Sequence, residues 1–236
     1  DEAGFGVILT DADPVRDDDT PSPWRQRVLH RADFARALDE LDPVDARPMA
    51  PDAPAFWCHS SGTSGRPKAV VHGHRFARAV DEVSRLGLGV TAADRVYASS
   101  KLFFAYPQTN SLWAGLKIGA TVLVDPQWPT AAGVAALVAG RRPTVLFCVP
   151  SLYRNLLHEG LAARVAQAGV RLCVSAGEAL PPSLQQAWRE QTGLAIVNGY
   201  GASETLALVM LDRGDGQGFR PSPGVDIEPL EPVADE

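Results

Sequence analysis

Residues 59–68 read HSSGTSGRPK, a run with the parts of a phosphate cradle. Ser60, Ser61, Thr63 and Ser64 supply hydroxyls, Lys68 supplies a cation, and Gly62 and Gly65 let the backbone approach an anion. Successive N–H groups in such a turn form a concave anion site. The run is not a Walker loop. Counted from Gly62, the second glycine position holds Pro67, and the hydroxyl position after Lys68 holds Ala69. A flexible Gly/Ser linker is the alternative, but a linker has little use for an Arg-Pro-Lys ending and apolar flanks. Two further stretches carry chemistry. SAGEAL (175–180) places Glu178 in a turn that also reads as a simple strand-to-helix connection. GYGASE (199–204) offers Tyr200 as a flat surface, Ser203 as a donor and Glu204 as a carboxylate. Beside phosphates such a carboxylate is a natural Mg²⁺ ligand. Taken singly, Glu204 also reads as a carboxylate at a helix N-terminus.

The elements that position these stretches follow from apolar patterning. Strands are expected at 55–59 and 69–72, either side of the Gly/Ser run, and at 95–99, 121–125, 144–149, 171–175 and 195–199. Helices are expected at 74–87, 108–118, 130–140, 151–158 and 181–191. Strands apolar throughout and separated by helices predict an α/β fold, a mostly parallel sheet with helices on both faces. Ligands of such sheets sit at the carboxyl ends of the strands. The Gly/Ser run, SAGEAL and GYGASE all follow expected strands, so one site built from three loops is expected. Residues 1–54 read as an acidic, Pro/Asp-rich leader and linker with one short helix near Asp33–Leu41. The α/β core is expected over 55–226, followed by a tail at 227–236.

Charge and composition narrow the function. The leader carries 13 acidic and 6 basic side chains against a net charge of -6 for the whole chain, so the body is close to neutral. That leaves no basic footprint for nucleic acid or an anionic membrane. No apolar run approaches the ~20 residues of a membrane helix. The start DEAGFGVILT does not read as a secretory signal, so a cytoplasmic location is expected. Cys58, Cys148 and Cys173 lie in separate apolar segments without metal-ligand spacing, as small buried hydrophobes would.

SSGTSGRPK, LFFAYPQTN (102–110), SAGEAL and NGYGASET (198–205) stand in the order and approximate spacing of the adenylate-forming superfamily. Its members include acyl- and aryl-CoA ligases, luciferase and peptide-synthetase adenylation domains. The chain resembles most the benzoate-CoA ligase branch, through LFFAY. The resemblance covers roughly residues 55–226, up to PSPGVDI, within the large N-terminal domain of such enzymes.

The resemblance implies a reaction and a role for each matching residue. In the implied reaction a carboxylate attacks the α-phosphate of ATP with Mg²⁺ present, pyrophosphate leaves, and the acyl-adenylate passes to CoA or to the phosphopantetheine of a carrier protein. In the implied site Ser60, Ser61, Gly62, Thr63, Ser64, Gly65 and Lys68 hold phosphates. Gly177, Glu178 and Ala179 line the adenine, Tyr200 stacks on it, and Asn198 and Gly199 lie near its edge. Ser203 touches the α-phosphate and substrate carboxylate, and Glu204 holds the metal, so Lys68, Ser203 and Glu204 are the expected catalytic set. Ala105, Tyr106, Gly201, Ala207 and Leu208 shape the aryl-acid pocket. The benzoate branch carries His where this chain has Ala207, which implies a larger or differently substituted acid than benzoate. The alternative for Phe103, Phe104 and Tyr106 is that they are simply core aromatics. His59, His72 and His74 flank the cradle but read as structural or solvent-exposed, because a carboxylate needs no general base at neutral pH.

The resemblance also implies a hinge and a small lysine-bearing domain beyond this region, from a longer parent chain or a partner. The 236 residues alone are then expected to form adenylate slowly. The competing reading is a non-catalytic relative that holds an acid or nucleotide as a binding or docking module. A kinase-like phosphotransferase fits the failed Walker pattern worst.

Overall fold

The computed structural model describes residues 8–10, 28–60 and 68–228, and the chain divides into two compact units, Asp1–Pro48 and Met49–Glu236. In the first unit, β1 (Ile8–Thr10) pairs in parallel with β2 (Val28–His30), and α1 (Arg31–Asp39) follows at once. The sequence pattern places the helix and misses the two strands. Three-residue strands are too short for a period of two to show.

The second unit begins with a two-stranded antiparallel ribbon, β3 (Pro54–Ser60) and β4 (Lys68–Gly73). Here the expectation is corrected. Both strands exist, but they pair with each other and stand outside the main sheet, so the Gly/Ser run joins the two strands of a ribbon rather than ending a strand of a parallel sheet. The main sheet contains β5 (Arg95–Ala98), β6 (Thr121–Leu123), β7 (Val145–Cys148), β8 (Leu172–Ser175), β9 (Ile196–Tyr200), β10 (Met210–Asp212) and β11 (Arg220–Pro221). Their order is β11-β10-β9-β8-β7-β5-β6. From β6 to β9 all pairs are parallel, while β10 and β11 add antiparallel strands at one edge.

Each central strand is buried on both faces, and its alternation divides the core in two. On β7, Leu146 and Cys148 point into one cluster with Tyr97, Val138, Tyr153, Leu156, Trp188 and Ile196. Val145 and Phe147 point into the other, with Val83, Leu88, Val96, Val174, Val197 and Leu208. A period of two on a doubly covered sheet gives this split directly.

Helices close both faces. α2 (Phe76–Glu82) continues as a π-helical turn, Val83–Gly87. α3 (Ala105–Pro107) passes through a π-helical stretch, Gln108–Trp113, into α4 (Ala114–Ile118). The others are α5 (Ala131–Arg141), α6 (Pro150–His158), α7 (Ala162–Gln167) and α8 (Pro182–Thr192). Thr130 caps α5, its Oγ1 accepting from Gly133 N at 3.0 Å. Pro150 and Pro182 open α6 and α8, where a missing N–H costs little. α7 was not foreseen; six residues give too little periodicity.

Cys58, Cys148 and Cys173 are buried and free. Burial pushes the thiols of Cys148 and Cys173 up to about 12, so both stay protonated. No helix among the described residues is long and apolar enough to cross a membrane.

Candidate active site

The parallel strands reverse their winding between β5 and β7, because β6 lies on one side of β5 and β7 on the other. Crevices at such reversals, beyond the carboxyl ends of the strands, are where open α/β sheets bind ligands. A cavity of ≈ 510 Å³ opens there. Ser100 comes to it from beyond β5, Val149 from the residue after β7, Ala176, Gly177 and Glu178 from beyond β8, and Gly201, Ala202 and Ser203 from beyond β9. Phe104, Ala105, Tyr106, Pro107 and Asn110 form one wall, and Leu206, Ala207 and Leu208 another.

Of the residues singled out from sequence, Ala105, Tyr106, Gly177, Glu178, Gly201, Ser203, Ala207 and Leu208 line this cavity. Ala179, Asn198, Gly199, Tyr200 and Glu204 do not. Ala179, Tyr200 and Glu204 are exposed near it in sequence, while Asn198 is half-buried in β9. Ser60 and Lys68 face each other across the end of the ribbon. Ser61, Gly62, Thr63, Ser64 and Gly65 lie outside the described residues.

The aromatic run LFFAY divides. Phe103 and Phe104 are 69% and 53% exposed, so neither is a core aromatic. Tyr106 packs edge-on against Phe147, with ring centroids 5.9 Å apart, and its hydroxyl donates to Val174 O at 3.0 Å. Burial raises that phenol well above its ordinary value. The Tyr106 ring therefore belongs to the core as much as to the cavity wall.

Glu178 has a task of its own. Its carboxylate accepts from Ser151 N at 3.2 Å and from Ser151 Oγ at 3.0 Å. Val149, the residue before α6, makes no side-chain cap, so Glu178 supplies one from another loop. It sits at the start of α6, not of the helix that comes after it in sequence.

The GYGASET turn folds back on β9. Ala202 O accepts from Thr205 N and Leu206 N, and Thr205 Oγ1 accepts from Ala202 N at 2.9 Å. Leu206 adopts φ +61, a left-handed conformation that costs a side-chain-bearing residue on the order of 1 kcal/mol or more. The turn packs so closely that a Cβ on Gly201 would stand 2.6 Å from Ala207 O, and one on Gly199 would stand 2.7 Å from Leu208 Cδ1.

Sequence patterns miss Ser100, Val149 and Asn110, which lie after strand ends or inside the π-helical stretch. Asn110 is 3% exposed, with Nδ2 donating to Tyr106 O at 2.9 Å and to Thr109 Oγ1 at 3.0 Å. An Asn inside the expected helix at 108–118 was the signal available for it.

The profile of the AMP-binding enzyme family matches residues 3–232. This chain belongs to the AMP-binding enzyme family. A 3-hydroxybenzoate–CoA/4-hydroxybenzoate–CoA ligase of Thauera aromatica is 43% identical over 201 residues, covering 85% of this chain and 38% of its own. A benzoate–CoA ligase of the same organism is 35% identical over 192 residues, covering 79% of this chain and 36% of its own. Among solved structures, a benzoate CoA ligase from Burkholderia xenovorans LB400 superposes with a TM-score of 0.73 at 33% identity. That match covers 84% of this chain and 41% of the ligase. The chain thus spans about two fifths of the length of the relatives it matches.

Proposed function

We propose that this family member takes part in the ATP-dependent activation of an aryl carboxylic acid of the benzoate class, passing the acyl group to the thiol of CoA. The observation that carries the reading is the cavity, in which the LFFAY wall, the SAGEAL turn and the GYGASET turn meet at the sheet's winding reversal. One region is apolar and aromatic and suits an aryl ring. The other is formed by Gly177, Glu178 and Ser203 and suits a nucleotide and a carboxylate.

The proposed chemistry has two displacements. A carboxylate oxygen of the acid attacks the α-phosphorus of ATP. A C–O–P linkage forms as the α,β-phosphoanhydride breaks, and pyrophosphate leaves. The thiol sulfur then attacks the acyl carbon, its proton goes to solvent, and AMP leaves with the C–O bonding pair. Ser203 orients the acid's carboxylate and the α-phosphate, and Ser60 and Lys68 hold the outer phosphates with residues 61–65. Tyr200, 57% exposed, offers its open ring to adenine. Glu204 suits Mg²⁺: it is an exposed hard-oxygen donor next to Ser203 in sequence. No cluster of three or more His, Cys, Asp or Glu among the described residues could hold a metal. Phosphate oxygens of a bound nucleotide and water would supply its other ligands. When bound, that ion neutralises charge on the phosphates.

The acid pocket favours a ring bearing a polar substituent. With Asn110 Nδ2 committed to Tyr106 O and Thr109 Oγ1, the group it offers the cavity is its Oδ1 acceptor, which suits a hydroxyl or amino substituent. The relative named as a hydroxybenzoate ligase is in keeping with this. Incubation with Mg-ATP, labelled pyrophosphate and a panel of benzoates should give acid-dependent label in ATP, strongest for hydroxylated acids. No acid-dependent exchange by any of them, even with the lysine-bearing region of a longer parent chain supplied, would refute the reading.

Ala207 sets the volume of this pocket. It is 5% exposed and lines the cavity. Ala207→His should shift preference towards unsubstituted benzoate by about 1–3 kcal/mol in relative kcat/KM. Unchanged relative kcat/KM across a substituted series would remove Ala207 from the pocket wall.

A further inference from the structure

Alternation along the ribbon puts Ser60 and Lys68 on the same face as Cys58, Val70, Phe56 and His72, since cross-strand partners Ser60/Lys68, Cys58/Val70 and Phe56/His72 are spaced by two. This face is the docked one. Cys58 is buried with its Sγ 3.7 Å from Gln108 Oε1, and Phe56 packs edge-on against Phe76 at 4.9 Å and reaches Trp113 at 6.5 Å. The opposite face shows Trp57 and Val71, 38% and 54% exposed.

At the inner end of the docked face His72 reaches the GYGASET turn. Its Nε2 lies 2.8 Å from the carbonyl oxygen of Ser203, a residue 131 positions away. A carbonyl can only accept, so Nε2 carries the proton and donates. The Phe56 ring, with its centroid 5.3 Å from that of His72 at 35° between planes, fixes the imidazole in this orientation. Apart from Ser222 Oγ, which donates to Leu208 O at the turn's far end, the turn's other described bonds are local, from Ala202 to Ala207, and it contains the strained Leu206. His72 is thus an anchor from outside the turn, on the strand that begins with Lys68.

We propose that His72 is a positioning residue that registers the two halves of the nucleotide site. The ribbon carries Ser60 and Lys68; the turn carries Ser203 and Glu204; the His72–Ser203 bond fixes one against the other. This rests on the activity proposed above. Adenylyl transfer depends on the placement of phosphates relative to the attacking carboxylate, and a small misplacement is costly. His72 touches no reacting atom in this assignment and acts only through the Ser203 backbone.

Two variants separate the hydrogen bond from the packing. His72→Phe keeps a ring against Phe56 and removes the donor, whereas His72→Gln keeps an amide donor at similar reach. His72→Phe should speed hydrogen–deuterium exchange of the amides of residues 203–207 about tenfold, the scale of one lost hydrogen bond, with the sheet unchanged. It should lower kcat for acid-dependent pyrophosphate exchange by about tenfold as well, with KM for the acid unchanged. His72→Gln should restore both. Wild-type loop protection and kcat in His72→Phe would overturn the proposal. So would equal loss in both variants with a lower Tm, the mark of a purely structural role. A wild-type protein without acid-dependent exchange, when the lysine-bearing region of a longer parent chain is supplied, refutes the proposed activity instead. Mg-ATP calorimetry beside the amide exchange then decides His72. Weaker nucleotide binding with a loosened turn, both rescued by Gln, upholds registration, and unchanged values overturn it.

Discussion

Gly201→Ala is expected to lower acid-dependent pyrophosphate exchange by about 100-fold or more, the scale of a misplacement of roughly 1 Å at a reacting centre. The reason is steric and local. The new methyl would stand 2.6 Å from Ala207 O and 3.3 Å from Ala207 C and Leu208 Cα, all backbone atoms that no rotamer change can move aside. The turn between Gly201 and Leu208 must shift, and it carries Ser203 and one wall of the acid cavity. Relief is not available from within, because Leu206 already sits at φ +61 and Thr205 Oγ1 is tied to Ala202 N and Ala207 O. Gly140→Ala is the control. Beyond its chain neighbours and the backbone of its own helix, no atom lies within 4 Å of a Cβ there, and its place in the last turn of α5 makes Ala stabilising by roughly 0.5–1 kcal/mol. Steady-state exchange assays on both variants, with thermal melts, check the pair. A Gly201→Ala enzyme of near wild-type rate would show that the turn does not position the reacting groups.

Asp94→Ala is expected to remove about 3 kcal/mol of stability, the sum to be expected from several hydrogen bonds to a charged acceptor that do not add fully. Asp94 is 4% exposed and stands just before β5. It accepts from Thr91 N at 2.8 Å, Thr91 Oγ1 at 3.0 Å, Thr144 Oγ1 at 2.7 Å, Arg171 Nε at 2.9 Å and Arg171 Nη2 at 2.6 Å. Thr144 precedes β7 and Arg171 precedes β8, so one carboxylate clips the starts of three parallel strands, at the end of the sheet opposite the cavity. Arg171 is 45% exposed and can turn to water, which limits the loss.

For a unit of this size the change corresponds to a fall of roughly 6–12 °C in Tm. Burial opposes the Asp94 charge, but the bonds from Arg171, Thr144 and Thr91 outweigh it and hold the carboxyl well below its ordinary 3.8. A depressed folded pKa contributes stability in full above 3.8 and loses it as pH falls through the folded value. The Tm gap between wild type and Asp94→Ala should therefore be constant from neutrality down to about pH 5 and narrow below pH 4. A gap that is absent at pH 7, or unchanged by acid, would exclude the clip as a source of stability.

Val145–Cys148, Leu172–Ser175 and Ile196–Tyr200 were legible as parallel strands because a doubly buried strand leaves an uninterrupted apolar run. The prolines at 150 and 182 marked helix starts for an equally local reason. SAGEAL and GYGASET could be placed at strand ends from sequence, and with LFFAY they do meet around one cavity. The partners of side chains were not legible. Glu178 caps α6 through Ser151, Tyr106 turns its hydroxyl to Val174 O, and His72 grips Ser203 O, each across a gap in sequence that no local pattern reports.

The amino-acid sequence by itself determined the parallel strands from β5 to β9 and most helices of the α/β body, though not α7 or the antiparallel edge strands β10 and β11, together with the order of the loops that carry chemistry and the family resemblance. All of these depend on residues near one another in the chain. Only the tertiary structure decided that the strands flanking the Gly/Ser run leave the main sheet as a ribbon, which face of it docks, and that Asn110 and Ser100 join the cavity wall. Strand pairing and side-chain direction are settled by long-range packing, in which burying Cys58 and Phe147 and packing the half-buried Phe56 outweigh what any short stretch prefers by itself.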